Sequence, residues 1–525
     1  MYQDGKIWVA VNDKGEKICL LPDKANRHGL IAGATGTGKT VTLHVLAEAF
    51  SDMGVPVFMA DVKGDLAGLM APGNDSEDMQ ARIQRFGLGE AGFSYHGYPV
   101  TFWDIYGQKG IQLRTTISEM GPVLLARIMD LNELQTNILS IVFKIADDNE
   151  LLLIDTKDLK SMLNYVNSNR AQFEAEYGKM SPASIAAILR AVVALEIEGG
   201  DVFFGEPALN INEWLTVSES GRGMISILDS ESLINNGRLY STFLLWMLSE
   251  LFETLPEVGD PEKPKLVFFF DEAHLLFKDA PKSLMDKIEQ VVKLVRSKGV
   301  GVYFCTQNPR DIPDAVLAQL GNRVQHALRA YTPADQKNVK AAADAFRENP
   351  EFKTYDTILA LGTGEAVISF LDEDGIPEVA QKSYILPPQS RMGSITDEER
   401  EQKVKGSLSY SKYAQAYDPD SAYEFLERLG VELAEKAERL KAEAEEQKQK
   451  AKEELAAARE AEREAQKAAA AKRRAAKSAA NSVGGTVGRE VGKTVGSTFG
   501  SFGKTLGGNL GASLGRGIIG TLFKS

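Results

Sequence analysis

Over the first 390 residues, short unbroken apolar runs alternate with turns and with segments whose apolar residues recur every three or four positions. The runs are HGLIAG (28–33), VPVFMAD (55–61), GMISILD (223–229), KLVFFFD (265–271) and VGVYFCT (300–306). A strand that is apolar at every position is covered on both faces, as in a parallel sheet layered between helices. The helix pattern TVTLHVLAEAF separates the first two runs, which makes them a βαβ unit. The pattern therefore predicts an α/β domain over 1–390 with a mainly parallel central sheet.

Residues 107–215 break the alternation. SEMGPVLLARIMDL, NELQTNILSIVFKIADD and SPASIAAILRAVVALEI all show helical spacing, so a helical insertion is expected there. Residues 391–430 read as a polar, helix-prone linker. From 431 to 482 the chain is mostly Ala, Glu, Lys and Arg, with few large apolar residues (Leu433, Leu440, Leu455). No a/d seam runs over several heptads, so a solvated helix held by i,i+4 Glu–Lys pairs is expected rather than a strong coiled coil. It ends in a basic cluster, Lys472, Arg473, Arg474 and Lys477, which reads either as a solvated face or as a contact for nucleic acid or acidic lipid.

The last segment, 483–525, repeats glycine every four residues at Gly488, Gly492, Gly496 and Gly500, then again at Gly503, Gly507, Gly511 and Gly515. An apolar residue precedes each glycine. As a helix this segment would carry about 0.8–1.0 kcal/mol of cost per glycine, so it needs a close neighbour: another copy, the core or a membrane surface. The charges Arg489, Lys493, Lys504 and Arg516 would limit membrane contact to peripheral docking. The other reading is a flexible glycine-rich tail.

Composition adds little to the class: 43% hydrophobic and 25% charged is globular. The net charge of −13 argues against a protein that coats nucleic acid, although not against a locally basic channel. The two cysteines, Cys19 and Cys305, sit in strand-like runs and read as small buried residues. The start, MYQDGKIW, has no signal-peptide pattern, and no run of 18 apolar residues occurs. A cytoplasmic protein is the expectation.

The chemistry is concentrated in a few places. Gly33-Ala34-Thr35-Gly36-Thr37-Gly38-Lys39-Thr40 matches G-x-x-x-x-G-K-[ST] between a strand and a helix. In such a loop backbone N–H groups cradle phosphates at a helix N-terminus, the lysine reaches the β/γ-phosphates and the threonine hydroxyl ligates Mg²⁺. Here those residues are Lys39 and Thr40, and Thr42 completes the expected nucleotide-binding set. KLVFFFDE ends a buried strand in two carboxylates. Asp271 is expected on Mg²⁺ and Glu272 on the attacking water of ATP. Gln307, at the end of VGVYFCT, is either a γ-phosphate sensor or a turn residue ahead of Pro309. Arg296, in LVRSKG, is either a helix C-terminal cation or a finger for a neighbouring subunit's γ-phosphate. Asp61 and Asp65, in DVKGD, either approach the metal and its water or cap the next helix. His44 and His274 lack metal-ligand spacing and read as structural.

These segments resemble the HerA/FtsK group of P-loop motor ATPases. The order is ANRHGLIAGATGTGKT, the DVKGD turn, FFFDEAH, then RSKGVGVYFCTQNPRDIP. The resemblance implies a RecA-like fold, ATP with Mg²⁺, and a ring, with a hexamer favoured, in which Arg296 acts in trans. It also implies that Arg323 and Arg329, in GNRVQHALRA, lie near a subunit interface. TTISEMGPVLLARIMDLNELQTNILSIVFKIADD, SKYAQAYDPDSAYEFLERLG and the glycine-rich end look like the bacterial HerA-like proteins of the YjgR type. Only about thirty residues precede Gly33, too few for the β-barrel of HerA, so its barrel-mediated partner contacts are not carried over. The expected function is a DNA translocase or helicase-like motor. The alternative is an ATP-dependent assembly or remodelling protein acting without DNA, with an unidentified protein partner or at a membrane surface.

Overall fold

Every run chosen for its unbroken hydrophobicity is a strand: Gly29–Ala32, Val57–Asp61, Ile225–Asp229, Leu266–Phe270 and Val300–Thr306, each buried along its length. The computed structural model describes residues 1–277 and 282–471. Two compact units emerge, one made of Met1–Leu131 with Val193–Asp418, the other of Asn132–Val192 with the chain from Pro419.

The first unit is built on a 13-stranded mixed sheet. Its parallel part runs Ile111–Gln112, Val100–Asp104, Ile225–Asp229, Val57–Asp61, Leu266–Phe270, Val300–Thr306, Gly29–Ala32 and Asn322–His326. Beyond Asn322–His326 the direction alternates through Glu365–Ser369, Gln381–Ile385 and Lys6–Asn12, with Tyr2–Gln3 and Lys17–Leu20 paired to the last. This is the expected α/β P-loop architecture with an antiparallel wing. The strand Val300–Thr306 lies between Gly29–Ala32 and Leu266–Phe270, with Phe304 opposite both Leu30 and Phe270. The residue after its end therefore stands between the phosphate loop and the carboxylate pair.

The helix Lys39–Asp52 covers this region and is buried at most positions. Its Phe50 ring sits 6.1 Å from both Phe269 and Tyr303. Farther along it, the fully buried Glu48 carboxylate accepts from the Gln389 and Ser390 amides, both at 2.9 Å, and from the Ser390 hydroxyl at 2.5 Å. Truncation would leave three buried donors without acceptors. Glu48→Ala is expected to lower stability by roughly 3–5 kcal/mol, read as a fall in the urea midpoint, with Glu48→Gln in between.

The expected insertion, 107–215, is helical through Ile117–Ile128, Glu133–Asp148, Thr156–Ser168, Arg170–Tyr177 and Pro182–Leu195. Both of its ends, however, belong to the sheet unit. Ile111–Gln112 pairs with Val100–Asp104, and Trp214 packs 4.4 Å from Phe58 between ring centroids. The second unit therefore starts at Asn132 and leaves at Val192.

In that unit the charged helix spans Ala422–Ala471 and begins ahead of the expected 431. A capping pair explains the earlier start: Glu424 accepts from the Ser421 hydroxyl at 2.6 Å and its amide at 3.0 Å. Asp158 fastens the same point by accepting from the Tyr423 amide at 2.8 Å, with its Oδ1 also 2.6 Å from Ser421 Oγ. Along the exposed stretch Glu446 and Lys450 form an i,i+4 pair at 2.7 Å. Among the described residues no single helix is long and apolar enough to cross a membrane. The basic cluster Lys472–Lys477 and the glycine-rich tail 483–525 lie outside the described residues.

Candidate active site at the carboxyl ends of the parallel strands

The loop Gly33–Thr40 leaves strand Gly29–Ala32 and is anchored to both flanking strands. Gly33 N–H donates to Thr306 O at 3.2 Å, and Ala34 N–H donates to Ala327 O at 2.8 Å. Gly33 and Gly38 have positive φ, 158° and 113°. A Cβ on Gly33 would stand 2.5 Å from His326 Cβ, so only glycine fits there. The turn Thr363–Gly364 rests against the far side of the loop, with Gly364 N–H donating to Thr37 O at 3.0 Å. Thr35 and Gly36 are exposed at the mouth, and the Thr37 hydroxyl donates back to Ala34 O at 2.7 Å. Lys39 is buried, and its ammonium donates to Gly33 O at 2.7 Å and Ala34 O at 3.1 Å.

Thr40 donates to Asp65 Oδ2 at 3.3 Å, which joins the loop to the turn after Val57–Asp61. Thr42 lies one turn into the helix Lys39–Asp52. Its side chain is fully buried, and its hydroxyl lies 2.8 Å from His326 Nε2. The other ring nitrogen, Nδ1, lies 3.0 Å from Glu365 O, an acceptor only, so Nδ1 carries the proton and Nε2 accepts from Thr42. Thr42 thus braces the helix from inside and is placed there by a strand whose polar residues gave no apolar signal.

Asp61 sits at the end of its strand and organises the next turn. Its carboxylate accepts from the amides of Lys63 at 3.2 Å, Gly64 at 2.8 Å and Leu66 at 3.1 Å. Asp271 occupies the same level on Leu266–Phe270 and is buried. Burial, then the charges of Asp65 and Asp271, push the Asp61 carboxyl up to about 7. Burial, then Glu272, push Asp271 up to about 6. Burial first, and then the Asp271 carboxylate, also hold the neighbouring Cys305 thiol protonated.

This crowding, together with the buried Asp65 Oδ1 that has no hydrogen-bond partner, suits a divalent cation. Thr40, Asp271 and Asp65 are the oxygen donors that fit Mg²⁺. The sign of the pH effect follows. A carboxyl raised above its ordinary range binds extra protons in the folded state, so these two groups weaken the fold as pH rises from about 4 to about 7. The rise in Tm caused by Mg²⁺ with ADP is therefore expected to be larger at about pH 8 than at about pH 5.5, as measured by scanning fluorimetry.

Glu272 is closely confined. It is 3% exposed and has φ 45°, rare for a residue with a side chain. Lys63 forms an ion pair with Oε1. Gln307 Nε2 donates to Oε2 at 3.2 Å, and His274 Nδ1 lies 3.2 Å from the same oxygen. Burial pushes the Glu272 carboxyl up, but the Lys63 hydrogen bond and charge, with Gln307 and Lys39, outweigh it and leave the group below the usual range.

The order of loop, turn and strands is that of a P-loop fold, and comparison with known proteins agrees. The family model described as "Helicase HerA-like C-terminal" matches residues 7–506. The chain belongs to this family. The DNA double-strand break repair helicase HerA of Sulfurisphaera tokodaii is 22% identical over 352 residues, which is 65% of this chain and 62% of that protein. The protein of the same name from Sulfolobus acidocaldarius is 22% identical over 361 residues, 67% and 63% of the two chains. The HerA-like chain thus spans less than two thirds of the length of these relatives. A solved structure of the bacterial conjugative coupling protein TrwBdeltaN70 superimposes with a TM-score of 0.50 at 16% identity, covering 76% of this chain and 92% of that one. That likeness bears on the fold, which is that of a HerA/FtsK-type P-loop ATPase.

Other expected residues of the HerA-like chain lie apart from the cluster. Arg296 is on the surface in the turn Val295–Lys298, where it pairs with Asp260 at 3.1 Å. Arg323 donates to the carbonyls of Leu320 at 3.2 Å and Leu317 at 3.3 Å, and Arg329 to Leu359 O at 3.0 Å. Sequence reasoning passed over Lys63, whose charge in a glycine turn reads as solvated. It also passed over Arg82, whose guanidinium lies 2.9 Å from where a Cβ on Gly364 would stand, beside the phosphate loop.

Proposed function

We propose that this chain hydrolyses ATP with Mg²⁺ and works as a ring-forming HerA/FtsK-like motor on DNA. The observation that carries the hydrolytic part is the convergence of Lys39, Thr40, Asp271, Glu272 and Gln307 at one edge of the sheet, with Gln307 bonded to Glu272. The backbone of Gly33–Thr40 cradles the phosphates, and the Lys39 ammonium exchanges its loop carbonyls for β/γ-phosphate oxygens. Thr40 and Asp271 would hold the metal, whose charge would offset that developing on the phosphates. Glu272 orients and deprotonates water in line with the γ-phosphate, and Gln307 keeps the carboxylate aimed. The motor part is supported by the family and by Arg296, which stands at the surface on a single exposed ion pair.

If Arg296 serves a neighbouring subunit, Arg296→Ala binds ATP normally and hydrolyses it at least about 10²-fold more slowly. Mixing it with Glu272→Gln chains restores part of the turnover, because one interface then joins an intact Arg296 to an intact Glu272. Absence of rescue in verified mixed assemblies would reject action in trans.

A second reading, an assembly or remodelling ATPase that works without DNA, draws on the net charge of −13 and the glycine-rich tail. Steady-state ATPase with single- and double-stranded DNA across a salt series separates the two. A motor on DNA shows stimulation that fades steeply with salt. Turnover indifferent to DNA together with tail-dependent assembly supports the other.

A further inference from the structure

We propose that Lys63 is a positioning residue for Glu272, holding the base in a resting posture on a turn that the metal ligand Thr40 can move. The inference rests on the assignment of Glu272 as base. Two donors face the carboxylate, Lys63 at Oε1 and Gln307 at Oε2. A base with both oxygens engaged offers water little.

The mobile member of the pair is the lysine. Glu272 is 3% exposed, and its backbone is fixed by the Ala273 amide donating to Cys305 O at 2.7 Å. The Lys63 side chain is 43% exposed and can swing into solvent. Its backbone belongs to the turn that Asp61 ties through the amides of Lys63, Gly64 and Leu66. At the far end of that turn Asp65 accepts from the Thr40 hydroxyl at 3.3 Å. A cation that takes the Thr40 oxygen competes for this contact. Filling of the metal site is thereby passed along Asp65, the turn and Lys63 to the base. Nucleotide occupancy and release of Glu272 become one event within a single chain.

The test uses the full-length protein and the variants Lys63→Met, Lys63→Arg and Glu272→Gln. ATP turnover is measured without DNA, across pH, beside the affinity for a fluorescent ADP analogue. Lys63→Met is expected to raise unstimulated kcat roughly 3- to 10-fold, with KM for ATP unchanged. Its nucleotide affinity should stay within about twofold of the parent, and Lys63→Arg should return parental values. Hydrogen exchange gives a readout independent of turnover: Mg²⁺ with ADP should change protection at the amides of Lys63, Gly64 and Leu66 in the parent protein. A Lys63→Met kcat at or below the parental value, with Glu272→Gln slow, would overturn the inference alone, as would exchange indifferent to Mg²⁺ and ADP. Parental turnover in Glu272→Gln would instead remove the base assignment and this inference with it.

Discussion

Lys39→Ala is expected to abolish measurable ATP binding, with Kd rising at least about 100-fold. Lys39 is buried beneath the loop, and its ammonium reaches only the Gly33 and Ala34 carbonyls. Alanine takes the ammonium from the Gly33 carbonyl, leaves Ala34 O to Thr37, and removes the loop's own cation from the β/γ-phosphates. No other ammonium donates to these carbonyls among the described residues, so there is no local substitute. Titration with a fluorescent ATP analogue reads the effect directly. Unchanged affinity would place the nucleotide elsewhere. A melting curve taken without nucleotide separates loss of the ligand contact from loss of the fold.

Glu272→Gln is expected to lower kcat by about 10²–10⁴ while ATP binds as tightly as before. The amide has the same shape and retains an oxygen for Gln307, but it cannot take a proton from water. Lys63 loses its counter-charge, and because that lysine is half exposed it can turn to solvent. Single-turnover hydrolysis isolates the chemical step from product release. Equal single-turnover rates in the variant and the parent would transfer the role of base to another group.

The readable parts of this site were those whose chemistry is local in the chain. Gly33–Thr40 is a continuous motif between a strand and a helix, and five strands announced themselves as predominantly apolar runs. Asn322–His326 did not, because its polar side chains are buried and bonded. Asn322 donates to Lys24 O and His28 O, both at 3.1 Å, and Gln325 to His326 O at 2.8 Å. Nothing in NRVQH reveals that those partners are waiting. The contact of Thr42 with His326 was hidden for the same reason, since His326 is brought in by sheet order. Val100–Asp104 was also unread, for it carries Thr101 within a short run after Pro99. Lys63 shows the limit most clearly. Its charge and glycine neighbour look like any exposed turn, and its meaning depends on Glu272, more than two hundred positions downstream and placed one strand away by the sheet topology.

The sheet order has a consequence for how the molecule is made. Gly29–Ala32 is flanked by Val300–Thr306 and Asn322–His326, and Lys6–Asn12 is joined to the main sheet through Gln381–Ile385. On a ribosome adding about 5–20 residues each second, the phosphate-loop strand emerges roughly 15–60 s before either of its neighbours exists. Through that interval its apolar backbone edge and the helix after it have no sheet to join. A nascent chain halted before Val300 would display them as adhesive surface. The nucleotide site is thus begun well before the strands that complete it are made, and its yield should depend on chaperones that shield a growing chain.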